Sequence, residues 1–220
     1  IRTKLSSDLH DEVSGLLAGI AMQTDMLQES VKDEASLKRI KQMGEVSRKA
    51  MSKMSDVIWS IDSRKDRMED LIIRMREHAE EMLAPLEIAY QLHSNGIDLK
   101  RKIPVQLRQN LYFIFKEAIN NIAKHSQATE VRIQLSNKGS EFQMTVADNG
   151  GSVSGKSNTD NHDYRENGRP AASAPPMRGR KKTGQGLSNL RMRAARIDAQ
   201  IDIKPGEEGY SVQLRRRGFA

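Results

Sequence analysis

The sequence lacks cysteine, has few aromatic residues (4%) and contains no long apolar run within its 220 residues. Without cysteine the chain can form no disulfide, no zinc–thiolate site and no thiol nucleophile. Because no apolar stretch approaches about 18 residues, we expect neither a membrane span nor a signal peptide. An apolar content of 37% favours a helix-rich, partly extended architecture. These features are compatible with a cytoplasmic location.

The chain begins at Ile1, inside an amphipathic pattern and without an initiator methionine. We therefore expect the cytoplasmic, C-terminal part of a longer protein, and a preceding sensor or membrane segment stays open. The net charge of +7 suggests nucleic acid as a partner, but much of the excess lies in two short runs, residues 178–182 and 215–217. A nucleic-acid binder needs basic residues along one face with stacking aromatics, so we expect no direct nucleic-acid partner.

Two amphipathic patterns at the start of the chain predict a helical hairpin. Apolar residues recur at spacings of three, four or seven up to about Ser30, and again over residues 40–61, with a turn at residues 32–36. Two such helices cannot bury their apolar faces completely against each other. We therefore predict a homodimer in which two hairpins form a four-helix bundle.

After a charged boundary near residue 65, the pattern changes to mixed α and β. Helices are predicted over residues 68–83, 105–126 and 187–197, and strands near residues 88–92, 131–135, 142–146, 201–203 and 210–214. Residues 151–183 lose all periodicity, and so long a loop is either functional or disordered.

The first candidate for chemistry is His10, which lies roughly 100° off the apolar stripe of the first helix. Acidic residues surround it at Asp8, Asp11 and Glu12. A partly exposed imidazole beside carboxylates suits a nucleophile or a proton carrier. Taken alone, a histidine among charges on a helix is usually a solvated residue.

A second candidate lies on the predicted helix 105–126. Glu117 and Asn121 share one face with Lys124 and His125, one turn further on. A carboxylate, an amide oxygen and two cationic side chains suit a hydrated Mg²⁺ and the phosphates that it neutralises. The alternative is an ordinary polar helix face.

Two glycine motifs complete the set. Asp148 and Gly150 come at the end of a predicted strand. There a carboxylate can accept a hydrogen bond from an exocyclic amine, and glycine lets a flat ligand approach the backbone. The alternative is a simple turn. Gly184, Gly186 and Leu187 open a helix, whose free N–H groups can bind phosphate. The second motif is neither a Walker loop nor a dinucleotide-binding fingerprint.

In this order the four motifs resemble the two-component sensor histidine kinases, in the subclass with a Leu-His-Asp phosphoacceptor box. The resemblance covers nearly the whole chain. It implies a dimerisation and histidine phosphotransfer domain in residues 1–65, then an ATP-binding α/β sandwich in residues 66–220 with its lid at about 151–183. The sandwich would be the GHKL (Bergerat) fold, so the expected fold class is α+β. The implied activity is ATP-dependent autophosphorylation, then transfer to an aspartate of a response regulator receiver domain.

The resemblance also implies roles for individual residues. His10 would accept the phosphoryl group and Asp11 its proton, while Asn121 would hold Mg²⁺ with Glu117 assisting nearby. The positions assigned to ATP are Lys124 and His125 at the phosphates, Asp148 at adenine, and Gly150, Gly184, Gly186 and Leu187 around the pocket.

Three departures from the family pattern stand out. Gly15 occupies the place where relatives with phosphatase activity carry Gln or His, so we expect weak phosphatase activity. Ser152 stands where a glycine is usual, and the lid is long and contains three prolines. If the lid cannot close, the chain would bind ATP poorly. The shift of the usual glycine from position 152 to Gly151 favours the alternative function, a dimeric signalling scaffold with a degenerate nucleotide site.

Overall fold

A computed structural model describes residues 2–62, 64–150, 185–206 and 209–218. The chain divides into a first compact unit of Ile1–Ile73 with Asp98–Gln109, and a second of Arg74–Ile97 with Asn110–Ala220. In these described ranges no helix is both long and apolar enough to cross a membrane.

The elements follow the predicted order. The described helices are α1 (Arg2–Ser30), α2 (Glu34–Ile61), α3 (Met68–Leu83), α4 (Val105–His125) and α5 (Gln185–Ala195). The described strands are β1 (Ala89–Asn95), β2 (Glu130–Lys138), β3 (Glu141–Asp148), β4 (Ala199–Gly206) and β5 (Gly209–Arg217). The helical hairpin followed by a mixed α/β region confirms the predicted α+β class.

Helices α1 and α2 form the predicted hairpin within the first unit. Asp33 begins the second helix, because its side chain accepts a hydrogen bond of 2.9 Å from the backbone N–H of Ser36. Ser47 Oγ ties the helices together by donating to the backbone oxygen of Leu17 at 2.7 Å. The helices approach closely at Gly44, where an added Cβ would lie 2.8 Å from a side-chain oxygen of α1.

A five-stranded sheet with the order β1-β2-β3-β5-β4 forms the centre of the second unit. β1 pairs parallel with β2 through the crossover helix α4, and the other neighbours are antiparallel. Alternate residues on one face of the three central strands are buried: Val131, Ile133, Leu135, Phe142, Met144, Val146, Val212 and Leu214. Since α4 also buries Phe115, Ile119 and Ile122, helices cover that face, as in an α/β sandwich.

The same alternation carries two polar residues onto the covered face at the ends of the central strands. Asp148 ends β3 two residues after the buried Val146, and Tyr210 lies two residues before the buried Val212 in β5. Both side chains therefore face the helices from neighbouring strands. This edge of the sheet holds the candidate site.

Candidate functional site

The helical side of the site is the polar face of α4. Glu117 and Asn121 lie one turn apart and are partly buried, while Ala118, Ile119 and Ile122 on the opposite face are fully buried. Burial of the apolar face fixes the rotation of the helix, so the carboxylate and the amide must face out of the core. Glu117 and Asn121 therefore share one polar face of α4, as their spacing predicts.

The first turn of α5 lies against these two side chains. A Cβ added at Gly186 would lie 2.5 Å from Glu117 Oε1 and 3.9 Å from Asn121 Oδ1. Only glycine leaves room at this position without moving the carboxylate. A carboxylate oxygen and an amide oxygen thus converge beside the start of a helix.

The strand side of the site is Asp148, whose carboxylate accepts three hydrogen bonds. Ser126 Oγ donates to Oδ1 at 2.7 Å and the Gly150 backbone N–H donates to the same oxygen at 2.8 Å. The Tyr210 backbone N–H donates to Oδ2 at 3.0 Å. A carboxylate offers about four acceptor positions, so Oδ2 keeps capacity for one further donor, such as an exocyclic amine.

The turn after β3 is attached to the segment that follows α4. Asn149 Oδ1 accepts hydrogen bonds of 3.0 Å from the backbone N–H groups of Thr129 and Glu130. Gly150 is buried against the backbone of Ala128, which any Cβ would overlap. In the described structure, position 150 thus requires glycine because the backbone of Ala128 lies so close to it.

Tyr210 joins the two sides of the site. Its backbone bonds to Asp148, while its hydroxyl accepts a hydrogen bond of 3.3 Å from Asn121 Nδ2. Burial raises the pKa of the Tyr210 hydroxyl above its ordinary value; the Asn121 hydrogen bond lowers that pKa, and the charges of Glu117 and Asp148 raise it further. The hydroxyl therefore stays protonated at neutral pH.

Sequence reasoning identified neither Tyr210 nor Ser126. The only signal for Tyr210 was its place in the alternation of the predicted last strand, which indicated a strand and no site residue. Ser126 follows directly after the polar residues of α4 and carries no distinguishing pattern.

The other predicted site residues are placed less closely. Lys124 and His125 are exposed in the last turn of α4, and Leu187 is partly exposed in α5. His10 and Asp11 belong to α1, but their side chains lie outside the described part of the chain. Gly184 and the predicted lid at 151–183 lie outside the described residues as well.

The donor set fits a cation that is bound together with phosphate. Within the described residues, no group of three or more His, Asp or Glu side chains could hold a metal ion alone. Mg²⁺ commonly keeps several waters and uses one or two protein oxygens beside substrate phosphates. The oxygens of Glu117 and Asn121 fit this second mode of binding.

Comparison with known families matches both parts of the chain. Residues 2–66 match the family described as histidine kinase. Residues 106–217 match the family described as histidine kinase-, DNA gyrase B-, and HSP90-like ATPase. The second match spans the helix, the strand ends and the start of α5 that build the site.

Curated relatives carry kinase names. The chain is 27% identical over 158 residues to sensor histidine kinase LiaS of Bacillus subtilis, covering 68% of this chain and 41% of LiaS. It is 26% identical over 154 residues to sensor histidine kinase DesK of the same organism, covering 68% of this chain and 39% of DesK. The chain thus spans about two fifths of the length of these relatives.

A solved structure supports the fold. The Acinetobacter baumannii histidine kinase AdeS superposes with a TM-score of 0.52 at 12% identity, covering 94% of this chain and 95% of AdeS. At this identity the likeness concerns the fold alone. It agrees with a helical hairpin followed by a mixed α/β unit.

Proposed function

The chain belongs to the histidine kinases with a HSP90-like ATPase domain, and on that premise we propose that it phosphorylates itself on His10 and serves two-component signalling. One observation carries the proposal most directly. The oxygens of Glu117 and Asn121 converge beside the first turn of α5, and Tyr210 links Asn121 to Asp148, whose carboxylate keeps an open acceptor position. This arrangement supports a binding surface for a nucleotide and its metal within the matched ATPase domain.

The residues divide the work by their chemistry. Asp148 would accept the adenine amine, and Asn121 would hold Mg²⁺ with Glu117 beside it, so the phosphates come to lie near the first turn of α5. Gly150, Gly184, Gly186 and Leu187 would shape the pocket, with the lid at 151–183. Lys124 and His125, exposed one turn beyond Asn121, would meet the phosphates.

The proposed reaction is an in-line phosphoryl transfer. ATP supplies the γ-phosphoryl group when bound. The bond between γ-phosphorus and its bridging oxygen breaks, a P–N bond forms to a ring nitrogen of His10, and ADP leaves. Asp11 takes the proton released by the imidazole. The phosphoryl group then passes to an aspartate carboxylate in the receiver domain of a response regulator.

A homodimer completes this proposal. Large apolar residues remain exposed along the single hairpin: Leu16, Ile20, Met22, Met26, Leu27, Met43, Val46 and Val57. A second copy has the same stripe and would cover it in a four-helix bundle. We propose residues 1–65 as the dimerisation and phosphotransfer domain and 66–220 as the ATP-binding domain. The dimer would act in the cytoplasm. If the natural protein has an N-terminal sensor region, only that region would connect the dimer to a membrane.

The test is incubation of the chain with γ-labelled ATP and Mg²⁺. Wild type should acquire acid-labile, alkali-stable label, and His10→Gln and Asn121→Ala should lose it. His93→Gln, at an exposed position in β1, is the matched control and should keep the label. Absence of label despite measurable ATP binding would favour the degenerate scaffold, and absence of both would refute the nucleotide site.

A further inference from the structure

We propose that Tyr210 is a positioning residue that holds one end of the Asn121 amide, so that the amide oxygen lies where it can meet the metal of a bound nucleotide. This inference rests on the proposed function, because it requires Asn121 at the metal. It adds a residue from β5 to a site otherwise built by α4, α5 and the end of β3. It concerns a position for which the sequence predicted a strand and no role in the site.

The orientation follows from which end of the amide is already engaged. Asn121 Nδ2 donates to the Tyr210 hydroxyl at 3.3 Å, which leaves Oδ1 on the side of Gly186 and of the Glu117 carboxylate. A reversed amide would keep a hydrogen bond, because the Tyr210 hydroxyl can also donate to Oδ1, but it would turn an N–H donor toward the cation. The tyrosine hydroxyl therefore fixes the position of the amide, and the cation favours the orientation that presents Oδ1.

Tyr210 is suited to this task because its own position is fixed. Its backbone N–H donates to Asp148 Oδ2 at 3.0 Å. The preceding Gly209 has φ +130°, and any Cβ there would overlap the backbone oxygen of Asp148. The backbone of Tyr210 is thus held at the Asp148 carboxylate, and its hydroxyl reaches the Asn121 amide.

The test measures the effect of Mg²⁺ on nucleotide affinity. Calorimetry of the full chain with ADP, in Mg²⁺ and in EDTA, gives a ratio of two dissociation constants. In Tyr210→Phe we expect this ratio to fall roughly 3- to 10-fold, the effect of losing one hydrogen bond, while affinity in EDTA changes less than about 2-fold. Tyr90→Phe is the matched control, since its hydroxyl contacts the backbone oxygen of Arg76 at 3.4 Å, away from Asn121.

A double-mutant cycle separates the two levels of the proposal. In an Asn121→Ala background, Tyr210→Phe should have no further effect on the ratio. An unchanged ratio in Tyr210→Phe, with a reduced one in Asn121→Ala, would overturn the role of Tyr210 and leave the proposed function standing. An unchanged ratio in Asn121→Ala would remove the metal ligand and both proposals with it. Tighter ADP binding by Tyr210→Phe in both buffers would show that the tyrosine obstructs the site, and would also overturn the inference.

Discussion

The two units of the chain bury their apolar residues to very different extents. In the second unit, the inner face of the sheet is closed, and Val146 and Leu214 are fully buried. In the hairpin, Leu16 is 69% exposed, Val46 59% and Met43 58%. An α/β layer can close its core within one chain, whereas two helices leave part of each apolar stripe uncovered.

The difference extends from packing to chemistry. The proposed ATP site brings together side chains from α4 and from the ends of two strands, so it depends on the tertiary fold of a single chain. The proposed phosphoacceptor lies on one helix of a hairpin whose apolar face is left open. Under the proposed function, nucleotide binding would belong to one chain, while phosphoryl acceptance would take place on an assembly of two.

The largest effect is expected from placing a charge on the open hairpin face. In Val46→Glu, both copies of a symmetric dimer would bring an unpaired carboxylate into the apolar seam, weakening dimerisation by about 100-fold or more. Val46→Thr keeps the shape without the charge and should weaken it far less. Sedimentation equilibrium measures both dissociation constants. Equal dimerisation of the two variants would mean that this face is not the interface.

A second, intermediate effect is expected at Arg108, which follows the predicted domain boundary in sequence yet belongs to the first compact unit. It is fully buried, and its Nη2 donates to the backbone oxygens of Ser60 at 2.7 Å and Asp62 at 2.9 Å. Burial lowers the pKa of the Arg108 guanidinium, and the charge of Asp62 opposes that shift. Arg108 therefore links the start of α4 to the end of α2.

Lysine cannot reproduce the planar fork that reaches these oxygens. Arg108→Lys should lower the free energy of unfolding of the first unit by about 1–3 kcal/mol. Urea unfolding followed by fluorescence of Trp59, the only tryptophan, reports this unit, because the guanidinium carbon lies 5.3 Å from the centre of its ring. Arg132→Lys, at an exposed position, is the control. If Arg108→Lys lost no more unfolding free energy than Arg132→Lys, the link between α4 and α2 would be contradicted.

Local patterns predicted the elements well, because each pattern has a local cause. α3 is found at residues 68–83 as predicted, since its apolar stripe stops before Pro85. Glu117, Asn121 and Asp148 could be proposed as site residues because helical spacing and strand ends place polar groups without reference to distant residues. The hydrogen bonds through which Tyr210 links Asn121 to Asp148 were not predictable in the same way.

Long-range pairing accounts for what sequence reasoning missed. The parallel partner of β1 depends on the crossover through α4, which no local pattern encodes. Tyr210 meets Asn121 across 89 positions, and Arg108 meets Ser60 across 48. A tyrosine in a strand and an arginine on a helix fit ordinary core and surface positions until those partners are known.

A smaller effect is expected at Gly15, which tests the prediction that phosphatase activity is weak because this position carries glycine. Gly15 is exposed in α1, and in the described structure an added Cβ would have no neighbour within 4 Å. Gly15→Gln should stabilise the helix by about 0.5–1 kcal/mol and should speed dephosphorylation of the phosphorylated receiver domain.

Gly19→Gln is the matched control, because Gly19 is also exposed in α1 with no described neighbour within 4 Å. Both variants should gain the same thermal stability, and only Gly15→Gln should gain dephosphorylation. Equal rates of dephosphorylation in the two variants would show that position 15 does not decide this activity.

The smallest expected effect concerns Asp62, at the end of the hairpin. The hydrogen bond from Arg64 lowers the pKa of the Asp62 carboxyl from its ordinary 3.8. A lowered folded-state pKa stabilises the protein above the unfolded-state pKa, and that contribution is lost as pH falls through the folded-state value. Since the Arg64 side chain is 71% exposed, the contribution should stay below about 1 kcal/mol.

Asp62→Asn should therefore be less stable than wild type at pH 7, and the difference should shrink as the pH falls below 3.8. Urea unfolding of both proteins between pH 7 and pH 3, followed by Trp59 fluorescence, measures it. A difference that stayed constant across this range would assign the effect to packing or to the backbone at the end of α2. The charge of Asp62 would then contribute nothing to the stability of the hairpin end.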